Sequence, residues 1–322
     1  MRRFLFRRLA QAAAIVFLVT TITFVLIHLA PGDPFFSGSD SGYVTAEMRD
    51  RWRAEFGLDR PLAEQYVRFL ANAARGNFGW SFSLRRPVGE AVLAFLPNTL
   101  LLMSVAIVLT FVVGIALGIL QALRPGGTAD RVLGGASLFF YSMPEFWVAL
   151  MAVLVFAYHF RLFPVGGIID PVLHDYLGFW GRVGDRLRHL VLPALTLALT
   201  SAAGIARYQR AAMLDVVRRD FVRTARAKGL PERRVVLRHA LRNALLPTIT
   251  LAGIYFPYLL SGVVFVETVF SWPGIGRMAT AAIASRDYPL VTVGVIIGGA
   301  MVALGSLLAD LAAAAVDPRL RA

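Results

Sequence analysis

The sequence contains no cysteine and a single lysine, Lys228. Absence of cysteine excludes disulfide frameworks and thiolate metal sites, and it leaves the redox compartment open. A P-loop needs a lysine followed by serine or threonine to hold nucleotide phosphates, whereas Lys228 is followed by Gly229. The chain therefore has no P-loop, and any ATP must be hydrolysed by another chain.

Sequence signatures of catalysis are also absent. The chain has neither a His-Glu-x-x-His zinc motif nor a Gly-x-Ser-x-Gly nucleophile elbow. The stretch PGIG at 273–276 lacks the final glycine and the ribose-binding acid of a dinucleotide site, so we interpret it as a turn. The five histidines are scattered, at His28, His159, His174, His189 and His239. We therefore predict no catalytic, cofactor-binding or metal-binding residues on this chain.

Charged residues are scarce and apolar residues abundant. They make up 16% and 57% of the 322 residues, against about 25% and about 45–50% in soluble domains. Since a bilayer core about 30 Å thick needs about 20 apolar helical residues, the long uncharged blocks indicate an integral membrane protein. Five blocks lack Asp, Glu, Lys and Arg, at 9–32, 91–123, 190–206, 243–266 and 288–309, and a sixth at 132–158 contains only Glu145.

These blocks predict an all-α membrane protein with six transmembrane helices in a single domain, residues 1–322. The first block exceeds the roughly 7–15 residues of a signal-peptide core and no Ala-x-Ala site follows it, so we interpret it as a retained helix. The predicted helices cover 9–30, 94–123, 132–160, 188–210, 244–268 and 288–315.

The distribution of basic residues predicts the orientation in the membrane. Both termini and the loops 124–131 and 211–243 hold seventeen Lys and Arg residues, whereas the shorter loops on the other side hold five. Because short cytoplasmic loops are enriched in Lys and Arg, we place both termini and the 211–243 loop in the cytoplasm. Topology then accounts for most of the net charge of +13 without a nucleic-acid partner.

The long outer loop, residues 31–93, has helical patterning. TAEMRDRWRAEFGL (45–58) and LAEQYVRFLANAARGNFG (62–79) place apolar residues at helical spacing. We predict two helices that lie on the membrane surface or form an extracytoplasmic docking platform. A solvated connector is the alternative interpretation.

Two carboxylates, Glu145 and Glu267, fall within predicted helices. Ionisable groups in a membrane are costly and usually face protein or a water-filled path. Glu145 follows Pro144, which favours a kink, so its alternatives are a buried hydrogen bond near that kink and a place on a translocation path. Glu267 lies at the outer end of the fifth predicted helix and is a second candidate for the path.

The basic loop contains an unusual stretch, RTARAKGLPERRVVLRHALRN (223–243). Gly229 permits a sharp reversal, and Pro231 suits the start of a helix. The following residues predict a short amphipathic helix with one basic and one apolar stripe. Arg234, Arg238 and Arg242 form the basic stripe, and Val236, Leu237, Ala240 and Leu241 form the apolar one. The alternative is that the arginines only anchor the loop on anionic membrane lipid.

This stretch resembles the cytoplasmic motif of ABC importer permeases, which reads Glu-Ala-Ala, three residues, Gly, nine residues, then Ile-x-Leu-Pro. Arg223, Thr224 and Ala225 stand at the triplet, and Gly229 at the glycine. His239 and Leu241 take the Ile and Leu places, and Arg242 replaces the proline. The variant is similar to permeases of dipeptide, oligopeptide and nickel importers with a long first outer loop. Supporting stretches are HLAPGDP (28–34), FGLDRPLAEQY (56–66), RPVGEAVLAFLPNTLLL (86–102), LFPVGG (162–167), VETVFSWPGIG (266–276), RDYPL (286–290) and DPRLR (317–321).

The resemblance implies a type I ABC importer permease of the bacterial inner membrane. Its partners would be a second homologous permease, two ATPase chains that bind ATP and Mg²⁺, and an extracytoplasmic binding protein. The residues implied to couple to the ATPase are Arg223, Thr224, Ala225, Gly229, Leu230, Pro231, Arg234, Arg238, His239 and Leu241.

The cargo stays open at this stage. The resemblance favours di- and oligopeptides, and nickel chelates, glutathione-like peptides and sugars are alternatives. Two other classes of protein compete with the importer, a membrane enzyme that uses Glu145 with a histidine and a secondary carrier driven by an ion gradient. Dependence of uptake on an ATPase chain separates importer from carrier.

Overall fold

The computed structural model describes residues 2–29, 47, 54 and 59–316. Helices dominate these residues, with one short antiparallel hairpin. The order is α1 (Arg2–Leu29), α2 (Leu62–Ala74), β1 (Trp80–Ser81), β2 (Arg86–Pro87), α3 (Val88–Leu123), α4 (Thr128–Ser142), α5 (Glu145–Ala152), α6 (Phe179–Val217), α7 (Asp220–Ala227), α8 (Glu232–Arg234), α9 (Leu241–Thr250), α10 (Ala252–Val269), α11 (Ile275–Ala284) and α12 (Tyr288–Val316). A 3₁₀ turn covers His174–Tyr176, and π-helical turns cover Val153–His159 and Val235–Ala240.

Four helices in the described part of the chain are long and apolar enough to cross a membrane. They are Phe6–Leu29 of α1, all of α3, all of α6 and Tyr288–Leu311 of α12. The pair Thr128–Ser142 and Glu145–His159 passes the same test together, so the number rises to five if that bent pair is one span. Six spans and the direction of the termini stay predictions.

The predicted span at 132–160 bends far more sharply than the kink expected at Pro144. α4 and the helix that begins at Glu145 meet at an angle of 106°. Met143 is extended (φ −85°, ψ 137°), and Pro144 follows it with φ −61°. Proline disfavours helical geometry in the residue before it and cannot donate a backbone hydrogen bond. A sharp break at Pro144 therefore replaces the kink that the sequence predicts.

The fifth predicted span, 244–268, is divided at Leu251 into α9 and α10. Pro247 lies inside α9 and removes one amide donor from that helix. Leu251 itself stays close to helical geometry (φ −70°, ψ −17°), and its amide donates to the Thr248 carbonyl at 3.2 Å. The chain thus passes from α9 into α10 through one irregular residue.

The outer-loop prediction is confirmed for one of its two helices. α2 lies within 62–79, and its Tyr66 hydroxyl is 2.7 Å from the Thr21 hydroxyl of α1. Phe24 of α1 packs against Phe69 with ring centroids 5.3 Å apart. The helix predicted at 45–58 lies outside the described residues, apart from 47 and 54.

The chain divides into two compact units, and the single-domain prediction stays a prediction. The first unit consists of Leu101–Trp272 with the residues from Gly305 onward and Met1–Leu5. α6 is its centre, and close approach of α3 depends on two glycines. A Cβ at Gly114 would lie 2.6 Å from the Cβ of Ile205, and one at Gly118 would lie 2.6 Å from the Cβ of Gln209.

The second unit consists of Phe6–Leu100 and Pro273–Leu304. Its core joins the start of α3 to α11 and α12, and it holds Val88, Ala91, Val92, Ile275, Met278, Ala282, Leu290 and Val293. α11 occupies a region, 269–287, that the sequence predicts to be a loop. At the start of α12 the Asp287 carboxylate is 1% exposed and fastens the β1–β2 hairpin.

Asp287 accepts hydrogen bonds from the Ser81 hydroxyl (2.6 Å), the Ser83 amide (2.9 Å) and the Ser83 hydroxyl (2.7 Å). Asp287→Ala would leave these donors without an acceptor, so we expect the free energy of unfolding to fall by about 3 kcal/mol. Asp215→Ala is the control because Asp215 forms an exposed ion pair with Arg219, worth at most about 1 kcal/mol. Thermal unfolding in detergent measures both, and equal midpoints would contradict the anchoring role of Asp287.

Candidate functional site

The basic segment, residues 211–243, contains the end of α6, all of α7 and α8, the π-helical turn and the start of α9. α6 runs to Val217 instead of the predicted 210, and α7 lies where the sequence predicts only loop. The segment is therefore mostly helical, with short breaks at 218–219 and 228–231.

The break before α8 depends on Gly229. Its φ is +73°, in the left-handed region that favours glycine, and a Cβ there would meet nothing within 4 Å. The Gly229 amide donates to the Arg226 carbonyl at 2.9 Å. Pro231 caps α8 from just outside it, and its carbonyl accepts from the Arg234 amide at 2.8 Å. Backbone conformation, and not space, makes glycine necessary at this turn.

The apolar face of the segment turns inward against its own chain. Val235 and Ala240 are fully buried, in a cluster with Ala122, Met213, Val216, Val222, Ala225, Val236 and Ala244. The predicted stripe is wrong for Leu237, which is 48% exposed. The π-helical turn explains the difference, because residues five apart, such as Val235 and Ala240, share a face there.

The outer face of the segment is basic and exposed. The predicted stripe of Arg234, Arg238 and Arg242 is exposed along its whole length. Most of the predicted coupling residues are exposed, namely Arg223, Thr224, Gly229, Pro231, Arg234 and Arg238. Three others are half-buried, Leu230, His239 and Leu241, and Ala225 is buried.

An ion pair holds the two sides of the Gly229 turn together. The Arg226 guanidinium donates to the Glu232 carboxylate at 2.7 and 3.1 Å. This hydrogen bond keeps the pKa of Glu232 below its ordinary value. Glu232 therefore pairs with Arg226 in addition to its place at the N-terminus of α8.

A buried hydrogen bond connects the helix that leaves the segment to α6. The Thr248 hydroxyl donates to the Gln209 side chain at 2.7 Å, and both residues are fully buried. On the other side of α6, Arg210 forms two 2.8 Å hydrogen bonds to Asp130 of α4. The basic segment is thus attached to α6, and α6 to α4.

The two candidate path carboxylates have different surroundings. Glu145 is half-buried, and the Thr200 hydroxyl donates to it at 3.3 Å. Gly262 of α10 makes room for its carboxylate, because a Cβ there would overlap Oε2. Glu267 is fully buried at the end of α10, where its carbonyl accepts from the Trp272 amide at 2.9 Å.

A cavity of about 520 Å³ opens in the first unit beside α6. Its polar lining comes from Tyr141, Thr200, Ser201, Arg207, Tyr208 and Tyr255. Sequence analysis did not identify Arg207 as a candidate, because in a helix that ends at 210 it would be an ordinary arginine at the membrane boundary. Since α6 runs to Val217, Arg207 lies ten residues before its end, about 15 Å along the axis.

Two of the histidines that look scattered in sequence meet at one carboxylate. Asp185 Oδ2 is 2.6 Å from His174 Nδ1, and Asp185 Oδ1 is 3.2 Å from His189 Nδ1. All three side chains are nearly buried. Across the described residues, no group of three or more His, Asp or Glu side chains could hold a metal ion. We therefore treat this cluster as a structural tie between α6 and the turn before it.

Comparison with known families covers nearly the whole chain. Residues 114–322 match the family described as binding-protein-dependent transport system inner membrane component. Residues 1–104 match the family described as the N-terminal part of the same kind of membrane component.

Several curated relatives are similar along their full length. The chain is 38% identical to the oligopeptide transport system permease protein AppB of Bacillus subtilis, covering 99% of both chains. It is 38% identical to the dipeptide transport system permease protein DppB of Escherichia coli, with 100% of this chain and 99% of that one covered. The di/tripeptide transport system permease protein DppB of Pseudomonas aeruginosa is 40% identical over the same shares.

One solved structure shares the fold. A chain of the inward-facing MetNI methionine ABC transporter superposes with a TM-score of 0.52, at 19% identity, covering 70% of this chain and 96% of that one. At this identity the likeness concerns the fold alone. The matches over both parts of the sequence, together with the long apolar helices, establish that the chain belongs to the family of inner membrane components of binding-protein-dependent transport systems.

Proposed function

We propose that the chain is the permease subunit of an ATP-driven importer that takes up di- or oligopeptides. It crosses the inner membrane six times, with α9 and α10 together as the fifth span and both termini in the cytoplasm. The observation that carries the proposal is the construction of the basic segment. Its apolar face is buried against α6 while its arginines stay exposed, which is the arrangement that a force-transmitting contact needs.

The basic segment is the contact to a separate ATPase. An ATPase that binds the exposed face of α8 and the π-helical turn pulls on Val235 and Ala240, which pack into the core around Met213 and Val216. Motion of the ATPase therefore displaces the end of α6. Lipid anchoring needs the arginines alone, whereas coupling also needs the Gly229 turn and this buried contact.

Family membership and the fold support the following set of partners. Two ATPase chains supply ATP hydrolysis and bind the nucleotide and Mg²⁺. A second, homologous permease completes the translocation path, and an extracytoplasmic binding protein delivers the cargo to the outer loop, 31–93. Glu145 belongs to this path, because Thr200 bonds to its carboxylate and also lines the cavity beside α6. Glu267, the second candidate for the path, is fully buried at the end of α10.

The names of the relatives support peptides as the cargo, since AppB and both DppB proteins are named for peptide transport. Deleting the gene for this chain in its native host tests the cargo. We expect uptake of labelled di- and tripeptides to be lost and to return with the intact gene. Uptake of nickel chelates, glutathione or sugars lost in place of peptides would identify the alternative cargo. Peptide uptake that persists without the ATPase chains would instead indicate a secondary carrier.

Gly229→Val is expected to abolish uptake while membrane insertion stays intact. Valine is strained at φ +73°, so the turn and the arginine face would change direction. Gly229→Asn is the matched control, because asparagine tolerates the left-handed region far better than valine does. Uptake and membrane content are measured for both variants, and normal uptake by Gly229→Val would remove the turn from the coupling mechanism.

Charge reversal at Arg234 and Arg238 tests the docking face. We expect the double change to Glu to reduce ATPase copurification at least about tenfold, because like charges would replace complementary ones at the contact. Arg75→Glu is the control, since Arg75 is exposed in the outer loop. Copurification at the wild-type level in the double variant would return these arginines to the role of lipid anchors.

A further inference from the structure

Arg207 lies on the wall of the cavity beside α6. Its guanidinium lies 5.8 Å from the centre of the Tyr141 ring, and within the described residues no carboxylate oxygen lies within 4.0 Å of it. Arg210, one turn later, is by contrast held by both oxygens of Asp130. Asp130 thus neutralises the charge of Arg210, whereas the guanidinium of Arg207 stays open to the cavity.

The cavity around Arg207 is lined by further hydrogen-bonding groups. Ser201 is 2% exposed, and its hydroxyl has no hydrogen-bond partner among the residues that the structure describes. Gly204 leaves room for the Tyr255 hydroxyl, which a Cβ at that position would overlap. Tyr208, Thr200 and Tyr141 add three more hydroxyls to the lining. An unpaired guanidinium therefore shares the cavity with several hydroxyl groups.

This set of groups is suited to a carboxylate. Arginine presents a planar fork of donors that pairs with both oxygens of a carboxylate, and the Tyr141 face leaves those donors free. A volume of about 520 Å³ lies within the range of about 300–1,000 Å³ that small ligands occupy in proteins. The cavity therefore fits an anion the size of a short peptide.

We propose that Arg207 binds the terminal carboxylate of the transported peptide as it passes the cavity beside α6. This inference rests on the proposed function, because it takes the cargo to be a peptide. Arg207 is exposed, so water competes for the pair and the contact stays weak. A weak contact suits a path, since the cargo must leave as well as enter.

The test is a thermodynamic cycle that combines substitution of Arg207 with removal of the negative charge from the C-terminus of the peptide. Binding of alanyl-alanine and of its C-terminal amide is measured on the purified permease–ATPase complex in nanodiscs, without the binding protein. In the wild-type complex we expect amidation to weaken binding about threefold, the loss of a solvent-exposed charged pair. In Arg207→Gln the two peptides are expected to bind equally weakly, and Arg207→Lys retains part of the difference.

Arg124→Gln is the matched control, because it removes the same charge from an exposed arginine just past the end of α3. It is expected to keep the full effect of amidation. An equal amidation effect in Arg207→Gln and wild type would overturn the proposal, as would a wild-type complex that binds both peptides alike or neither.

The experiment also separates this inference from its rivals. Nanodiscs with and without anionic lipid test whether Arg207 binds a lipid phosphate. Loss of bound anionic lipid in Arg207→Gln, with the amidation effect unchanged, would assign it that role and overturn the proposal. Peptide uptake by the wild-type complex with its binding protein is measured in parallel. Absence of uptake there would contradict the proposed function itself, whereas uptake together with an unchanged amidation effect would contradict the role of Arg207 alone.

Discussion

The burial of the π-helical turn and the start of α9 against the end of α6 is the contact on which the rest of this account depends. Val235, Ala240 and Ala244 are fully buried there, beside Met213 and Val216. A fully buried valine contributes about 1.5–3 kcal/mol, and each buried alanine methyl about 0.8 kcal/mol. The contact makes a cationic surface and a membrane helix into one mechanical unit. Without it, the arginines would be charges on a loose loop, and a partner bound to them could not move α6.

The same helix explains why the segment and the cavity belong to one mechanism. α6 carries the buried contact near Met213 and the cavity lining at Thr200, Ser201 and Arg207. A helix transmits displacement along its axis because every backbone hydrogen bond is internal to it, and the distance from Arg207 to Met213 is only about 9 Å. A force applied at the basic segment is therefore applied close to the groups that line the cavity.

Sequence reasoning predicted the features that depend on local chemistry. Charge-free blocks predicted the four long apolar helices α1, α3, α6 and α12, and a glycine before Leu230-Pro231 predicted a sharp turn, which has a positive φ. Sequence analysis was less successful where hydrophobic periodicity does not encode the geometry. The sharpness of the bend at Pro144, 106°, and the end of α6 at Val217 are two examples, and the exposure of Leu237 follows from a π-helical turn that this periodicity does not reveal. Arg207 was missed for the same reason, since only the true end of α6 distinguishes a cavity residue from a boundary residue.

The most direct test of the coupling claim uses the absence of cysteine from the chain. Arg238→Cys creates a unique thiol on the exposed face of the basic segment. A photoactivatable maleimide attached to it is activated in native membranes, and the captured partner is identified by mass spectrometry. The account predicts an adduct with the ATPase chain, and none with that chain from Arg75→Cys in the outer loop. An adduct with lipid alone from position 238 would contradict the account.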